Sequence, residues 1–225
     1  MKLKILIGLI ICYCSISAQT FSIVVHVNPE LDFSDTTLMT ELDSNYSLNS
    51  KFNASAIDAL LSRVYLYKAD YPNAYTTANN LINSAVYSLA TNASYMSNWD
   101  GQMETDVILQ LPAASNDNNG FDSLGSIYVD TGDDGNGGYG DLVPTTDILD
   151  LYSSTDTRAG WFRNIGGTQF NFKFPLSWNN AIPVIRLSEV YLNLAEAVAN
   201  GAGNITVGQN ALNKVRQTAD PDATT

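Results

Sequence analysis

Residues 183–200 read PVIRLSEVYLNLAEAVAN, and this run constrains the fold more than any other part of the chain. Leu187, Val190, Tyr191, Leu194, Ala195 and Val198 recur at intervals of three and four residues, which lines them up along one side of an α-helix. The spacing predicts a helix over 183–200. Pro183 is expected in its first turn, where a missing N–H costs nothing, and Gly201 acts as its stop. Arg186 and Glu189 stand three residues apart and are expected to pair on that helix. Together with Glu196, beside the apolar stripe, they read as residues that hold the fold and bond the neighbouring insert.

A second helical unit occupies 52–89. Asn53 or Ser55 can cap a helix whose apolar face is expected at Ile57, Leu60, Leu61 and Val64. Asp70-Tyr71-Pro72 then makes a turn, with Pro72 opening a partner helix that buries Ala74, Ala78, Leu81, Ile82 and Ala85. After Gly201 and Gly203 a further helix carries Val207, Ala211, Leu212 and Val215 toward Arg216, so 183–217 forms another pair. Small residues at both contacts suit close antiparallel packing.

Residues 90–182 differ in kind. Thr105–Leu111 and Thr168–Phe174 read as strands, the second with Phe170, Phe172 and Phe174 alternating with polar residues. One short helix is expected over Pro144–Tyr152, with Ile148, Leu149 and Tyr152 turned inward. Ser115–Asp141 is rich in Gly, Asp and Asn. The expected fold is mainly α: tetratricopeptide-like helical hairpins packed together, with a long irregular insert carrying a few short strands. Long ordered loops of this kind commonly carry function.

Charge and cysteine content narrow the chemistry. The formal net charge is −12, and only 15% of residues are charged, so the surface is built from Asn, Ser, Thr and Tyr. An acidic field without a basic patch disfavours nucleic acid. Lys2 and Lys4, the apolar Ile5–Cys14 and the small Ala18 predict a signal peptide over 1–18, leaving a single domain over 19–225. Cys12 and Cys14 both fall within the signal, so the mature chain offers neither a disulfide nor a thiol nucleophile. Each follows a bulky residue, Ile11 or Tyr13, which favours ordinary cleavage over lipidation. The one histidine, His26, sits in a strand-like run, Phe21–Val27, and reads as structural. Thus Ser/His/Asp and Cys/His catalysis and a His/Cys metal centre are not expected. Carboxylates are abundant, which keeps a glycosidase open as an alternative, though none stands out as a pair. Asp130, Asp134, Gly135 and Asp141 occupy positions 1, 5, 6 and 12 of a calcium-loop register. Gly132 fails position 3 and Asp replaces the closing Glu, so the run reads as a solvated turn and no metal is expected.

Aromatic residues are the remaining ligand candidates. Trp99, Trp161 and Trp178 lie in or beside the irregular region, and Tyr139 lies in its glycine-rich loop. The apolar C–H face of a sugar ring stacks on such side chains, and neighbouring Asn, Asp and Gln bind its hydroxyls. The competing reading is that each Trp plugs core beneath the loops.

Four collinear motifs resemble the SusD/RagB family of outer-membrane nutrient-binding proteins. They are ALLSRVYLYKADYPNAYTTANNLI (59–82), DLVPTTDILDLYSSTDTRAGWF (141–162), the RLSEVYLNLAEA helix (186–197) and ALNKVRQTAD (211–220). Family members are longer, so the resemblance is to a shortened or partial member. It implies an exported, surface-exposed protein at the cell outer membrane. Such a protein would bind an oligosaccharide or other nutrient, without cofactor or catalysis, and work with a SusC-like TonB-dependent transporter. Two other readings compete: a tetratricopeptide-like protein-interaction module and an extracellular glycosidase.

Overall fold

The computed structural model describes residues 48–50, 52–99, 105–114, 116–130 and 138–223. These fall within one compact unit, Tyr46–Thr225. The expected signal peptide, and the expected strand Phe21–Val27 with His26, lie outside the described residues.

Four long helices make the scaffold. Helix α1 (Ala54–Tyr67) starts at Asn53, whose extended backbone (φ −107°, ψ 177°) lets its side chain accept from the Ala56 N–H at 2.9 Å. Helix α2 (Tyr71–Asn83) has Pro72 in its first turn, as the sequence predicts, and is capped by Asp70, which the sequence placed only in a turn. Two short helices, α3 (Leu124–Tyr128) and α4 (Thr146–Leu149), belong to the insert. Helix α5 (Leu187–Ala199) is followed by α6 (Ile205–Ala219), capped by Asn204. Gly203, at φ +70°, passes so close to Tyr75 that a Cβ would stand 2.5 Å from its ring. The turn thereby locks against α2.

Helix α1 packs on α2, α2 on α5, and α5 on α6, while α1 also touches α5. The shared core comprises Ala56, Ala59, Ala78, Leu81, Ile108, Ile185, Leu187, Val190, Leu194 and Ala211. The alanines let the helix axes approach, and each large aliphatic buried here stabilises the fold by about 1.5–3 kcal/mol. At the α5–α6 contact, a Cβ on Gly208 would lie 2.7 Å from Val198. Glycine is what that spacing demands.

Helix faces differ in places from the expected ones. Ile57 is 40% exposed, and α1 instead buries Ala56, Ala59 and Ser62. The reason is the close approach of α1 to two neighbours, which admits only small side chains. Ser62 also accepts a hydrogen bond from Asn193 Nδ2 at 3.0 Å, a buried polar link to α5. On α6, Leu212 is exposed and Ala211 buried. Ala85 lies beyond α2, exposed and at φ +53°.

The expected start of the 183–200 helix is corrected. Strand β1 (Val107–Leu111) pairs antiparallel with β4 (Ile182–Arg186), with Gln110 opposite Pro183 and Leu111 opposite Ile182. Pro183 is therefore a strand residue, tolerated because a two-stranded ribbon leaves each strand an unpaired edge. Ile182, Val184 and Ile185 are β-branched and favour the extended state until the cap at Arg186. A second ribbon joins β2 (Phe162–Ile165) to β3 (Thr168–Asn171) through Gly166-Gly167. The strand expected over Thr168–Phe174 ends early, with Phe170 buried. Helix α4 lies inside the expected Pro144–Tyr152, but Ile148 points outward at 44% exposure because the helix is only one turn long.

Candidate functional site

The insert is tied to the helical scaffold at Asp106. Its backbone sits at φ +63°, a region Asp tolerates better than most residues. One carboxylate oxygen accepts from the Ser188 N–H at 2.7 Å, and the other from Ser188 Oγ at 3.0 Å and Arg186 Nη1 at 2.8 Å. Its carbonyl accepts from the Leu187 N–H at 2.8 Å. Asp106 thus caps α5 from outside the helix, satisfying N–H groups that have no intrahelical partner. Burial pushes its carboxyl up, against the opposing pull of Arg186 and the Ser188 bonds.

The expected Arg186–Glu189 pair does not form. Arg186 is the extended cap residue (φ −119°, ψ 151°), so it projects toward Asp106 rather than along the helix surface. Glu189 is held by Arg63 of α1 through Nε and Nη2, the latter at 2.7 Å. Both still hold the fold, as expected, though with different partners. Glu196 is exposed.

Trp99 and Trp161 are buried, at 3% and 7% exposure, and pack with Val107, Tyr95, Met96 and Phe174. Trp99 meets Trp161 edge-on at 5.8 Å between centroids and Phe174 at 5.4 Å. Lys173 Nζ stands 3.9 Å from the Trp99 ring centroid and 5.5 Å from that of Trp161. Arg186 lies 4.9 Å from the Trp99 ring, so two cations share this aromatic nest. Arg186 has Asp106 as counter-ion, whereas no carboxylate among the described residues pairs with Lys173. Burial, reinforced by Arg186, pushes the Lys173 ammonium down to about 8. The faces of Trp99 and Trp161 are covered by protein, which leaves no room for a sugar to stack on them.

Trp178 and Tyr139 are placed differently, at 47% and 53% exposure. Trp178 pairs with Phe121, itself 52% exposed, at 5.4 Å between centroids and 60° between planes. Helix α3 brings these rings together. Gly125 lies against the Pro175 carbonyl so closely that a Cβ would collide with it, which seats α3 on the 175–180 turn. Asn180 Nδ2 closes that turn by donating to the carbonyls of Pro175 at 2.6 Å and Ser177 at 3.0 Å. The Tyr139 N–H donates to the Ser126 carbonyl at 2.6 Å, fixing the glycine-rich loop to the same short helix. The exposed aromatic pair sits on a pinned turn and is neighboured in sequence by Asn119, Asn179 and Asn118, whose amide bonds the Ala114 carbonyl and the Gly120 N–H. The sequence reading missed Phe121. Its signal is an aromatic directly after Asn118-Asn119-Gly120, where a core residue is not expected.

Residues 131–137 of the calcium-like run lie outside the described residues. Among the described residues no group of three His, Cys, Asp or Glu side chains could hold a metal ion. No helix among them is long and apolar enough to cross a membrane.

A sequence model of the SusD family matches residues 175–225. No curated protein matches the chain by sequence. Among solved structures, a SusD superfamily protein from Bacteroides vulgatus superposes with a TM-score of 0.69 at 25% identity, covering 84% of this chain and 46% of its own. A second Bacteroides vulgatus protein, described provisionally as sugar-binding, gives 0.66 at 29% identity, covering 85% and 44%. Surface glycan-binding protein A from Bacteroides thetaiotaomicron, solved with laminarihexaose, shares the fold at 18% identity, with a TM-score of 0.62 and coverage of 81% and 50%. The chain therefore spans about half the length of these structures. In its matched C-terminal residues and in its helical architecture the chain is similar to the SusD/RagB family.

Proposed function

We propose that this protein captures glycans at the bacterial cell surface and performs no chemistry on them. The observation that carries the reading is the exposed Phe121–Trp178 pair, held on a turn braced by α3 and bordered by asparagines. Such rings receive the C–H face of a pyranose while the amides reach its hydroxyls. Tyr139, on the loop bonded to Ser126, extends the surface. Kinship with a structure described as sugar-binding supports the same ligand class. Trp99 and Trp161 serve as core rather than as ligand contacts. By family, the captured glycan is passed to a SusC-like TonB-dependent transporter at the outer membrane.

Native electrophoresis through gels cast with single polysaccharides tests the binding claim. The folded protein is expected to be retarded by at least one glycan, and Trp178→Ala to migrate freely. Equal retardation of both proteins would remove the Phe121–Trp178 pair from the account. Co-purification with an outer-membrane TonB-dependent transporter from the native envelope tests the partnership, and recovery of the protein without any such transporter contradicts it.

The protein-interaction alternative draws on one feature. Tyr67, at 86% exposure, and Ile57 lie on the outer face of α1 and have no helix packed over them among the described residues. A partner protein recovered by pull-down, and lost on Tyr67→Ala, would favour it.

A further inference from the structure

A cavity of about 440 Å³ opens between the segment after α2, the first turns of α5 and the last turns of α6. Small-molecule sites typically occupy about 300–1,000 Å³. Ile82, Leu89 and Leu187 give it an apolar wall, and Tyr87 and Tyr191 add aromatic surface. The frame is fixed by hydrogen bonds. The Tyr87 hydroxyl accepts from Asn53 Nδ2 at 3.1 Å, and Asn92 Nδ2 donates to the carbonyls of Thr218 at 3.3 Å and Ala219 at 3.1 Å. The segment after α2 is thereby stapled to the end of α6.

Three polar head groups line this frame without a hydrogen-bond or ion-pair partner among the described residues: the Tyr191 hydroxyl, the Lys214 ammonium and the Gln217 amide. Burial pushes the Tyr191 phenol up, so it remains a neutral donor. Lys214 is the sole charged side chain in the lining. In a chain with 23 acidic and 11 basic residues, a cavity whose only charge is positive stands apart from the surrounding field.

We propose that this cavity binds an acidic sugar, with its carboxylate on Lys214 Nζ, its ring against Tyr87 and Tyr191, and its hydroxyls on Gln217 and the Tyr191 hydroxyl. An exposed cation with an unsatisfied neighbourhood favours a carboxylate, and charge-assisted bonds are the stronger kind. Tyrosine rings and an amide suit the sugar portion. This inference rests on the glycan-binding reading but uses residues and elements separate from the Phe121–Trp178 pair. It extends that reading from neutral to acidic glycans.

Calorimetric titration with digalacturonate, and with lactose as a neutral disaccharide of similar size, tests it. Digalacturonate is expected to bind the intact protein at least tenfold more tightly than lactose. Lys214→Gln is expected to remove that preference, and Tyr191→Phe to weaken binding several-fold with an unchanged melting temperature. Trp178→Ala is expected to leave digalacturonate binding intact. The inference is overturned if the folded protein does not bind digalacturonate, if Lys214→Gln binds it as tightly as the parent, or if Trp178→Ala alone abolishes binding. Loss of digalacturonate binding while a neutral polysaccharide still retards the protein in gels sinks the acidic-sugar site and spares the glycan-binding reading.

Discussion

Replacing Asp106 by Asn or by Ala separates two effects that the structure places on one side chain. Asp106 is 4% exposed, accepts three hydrogen bonds through its carboxylate, and faces Arg186, whose side chain is 27% exposed. Burial outweighs pairing at this carboxyl, since its proton affinity is raised in the fold. The neutral Asn isostere therefore escapes a desolvation cost that the charged form bears, and its oxygen still accepts from Ser188. Its Nδ2 cannot accept from Arg186 Nη1, which is exposed enough to turn to water, so Asp106→Asn is expected to cost about 1–2 kcal/mol. Asp106→Ala loses the cap, worth about 1 kcal/mol. It also leaves Arg186 and Ser188 donors unmatched, at about 1–3 kcal/mol. Ala further strains the left-handed backbone at φ +63°. The total is about 3–4 kcal/mol, or roughly 6–15 °C in melting temperature for a domain of this size. Urea unfolding of both variants at pH 7 measures this. Because the folded protein holds the Asp106 proton to a higher pH than the unfolded chain, this group's contribution to stability falls as pH rises from about 3.8 through its raised value. Asp106→Asn should remove that fall. An Asn variant as damaged as the Ala variant, or an Ala variant within about 1 kcal/mol of the parent, would refute the reasoning.

Other perturbations follow from the same contacts. Trp99→Ala empties a buried aromatic site and is expected to cost about 3–5 kcal/mol in chemical unfolding, whereas Trp178→Ala, half exposed, should cost less than about 1 kcal/mol. Lys173 binds its proton less tightly in the fold, at about 8, than at its ordinary 10.5. Stability should therefore rise with pH from about 8 to about 9.5, below tyrosine ionisation, and Lys173→Met should flatten that rise in a pH series of thermal melts. Gly208→Val forces side-chain atoms into Val198 and should lower the melting temperature by several degrees, while Leu212→Ala on the exposed side of the same helix should change it little.

The long helices were legible because their signals are local. Period-3.6 apolar spacing, a cap at Asn53 or Ser55 and the opening Pro72 need no tertiary context, and the structure settles the caps on Asn53 and Asp70. The start of α5 was not legible, because Ile182–Ile185 is apolar throughout and fits either state. Only the distant pairing with Val107–Leu111 decides it. Ion-pair partners were equally hidden: composition supplies an Arg and a Glu three residues apart, but Asp106 and Arg63 arrive from elsewhere in the chain. Among the tryptophans, residue type alone cannot tell a plug from a platform. Trp99 and Trp161 are enclosed by each other and by Phe174, while Trp178 is turned outward by a turn that Asn180 closes. Phe121 and the cavity beside Tyr191 emerge only when α3 and α6 are docked.

Fluorescence quenching by acrylamide reads the central claim directly. The chain has three tryptophans, and only Trp178 is exposed to the quencher. A glycan that retards the protein in gels should, at saturation, shield this quenchable fraction to the level seen in Trp178→Ala. A saturating glycan that leaves the quenching curve of the parent protein unchanged would mean that sugar is held elsewhere and that the exposed aromatic pair is not the binding surface.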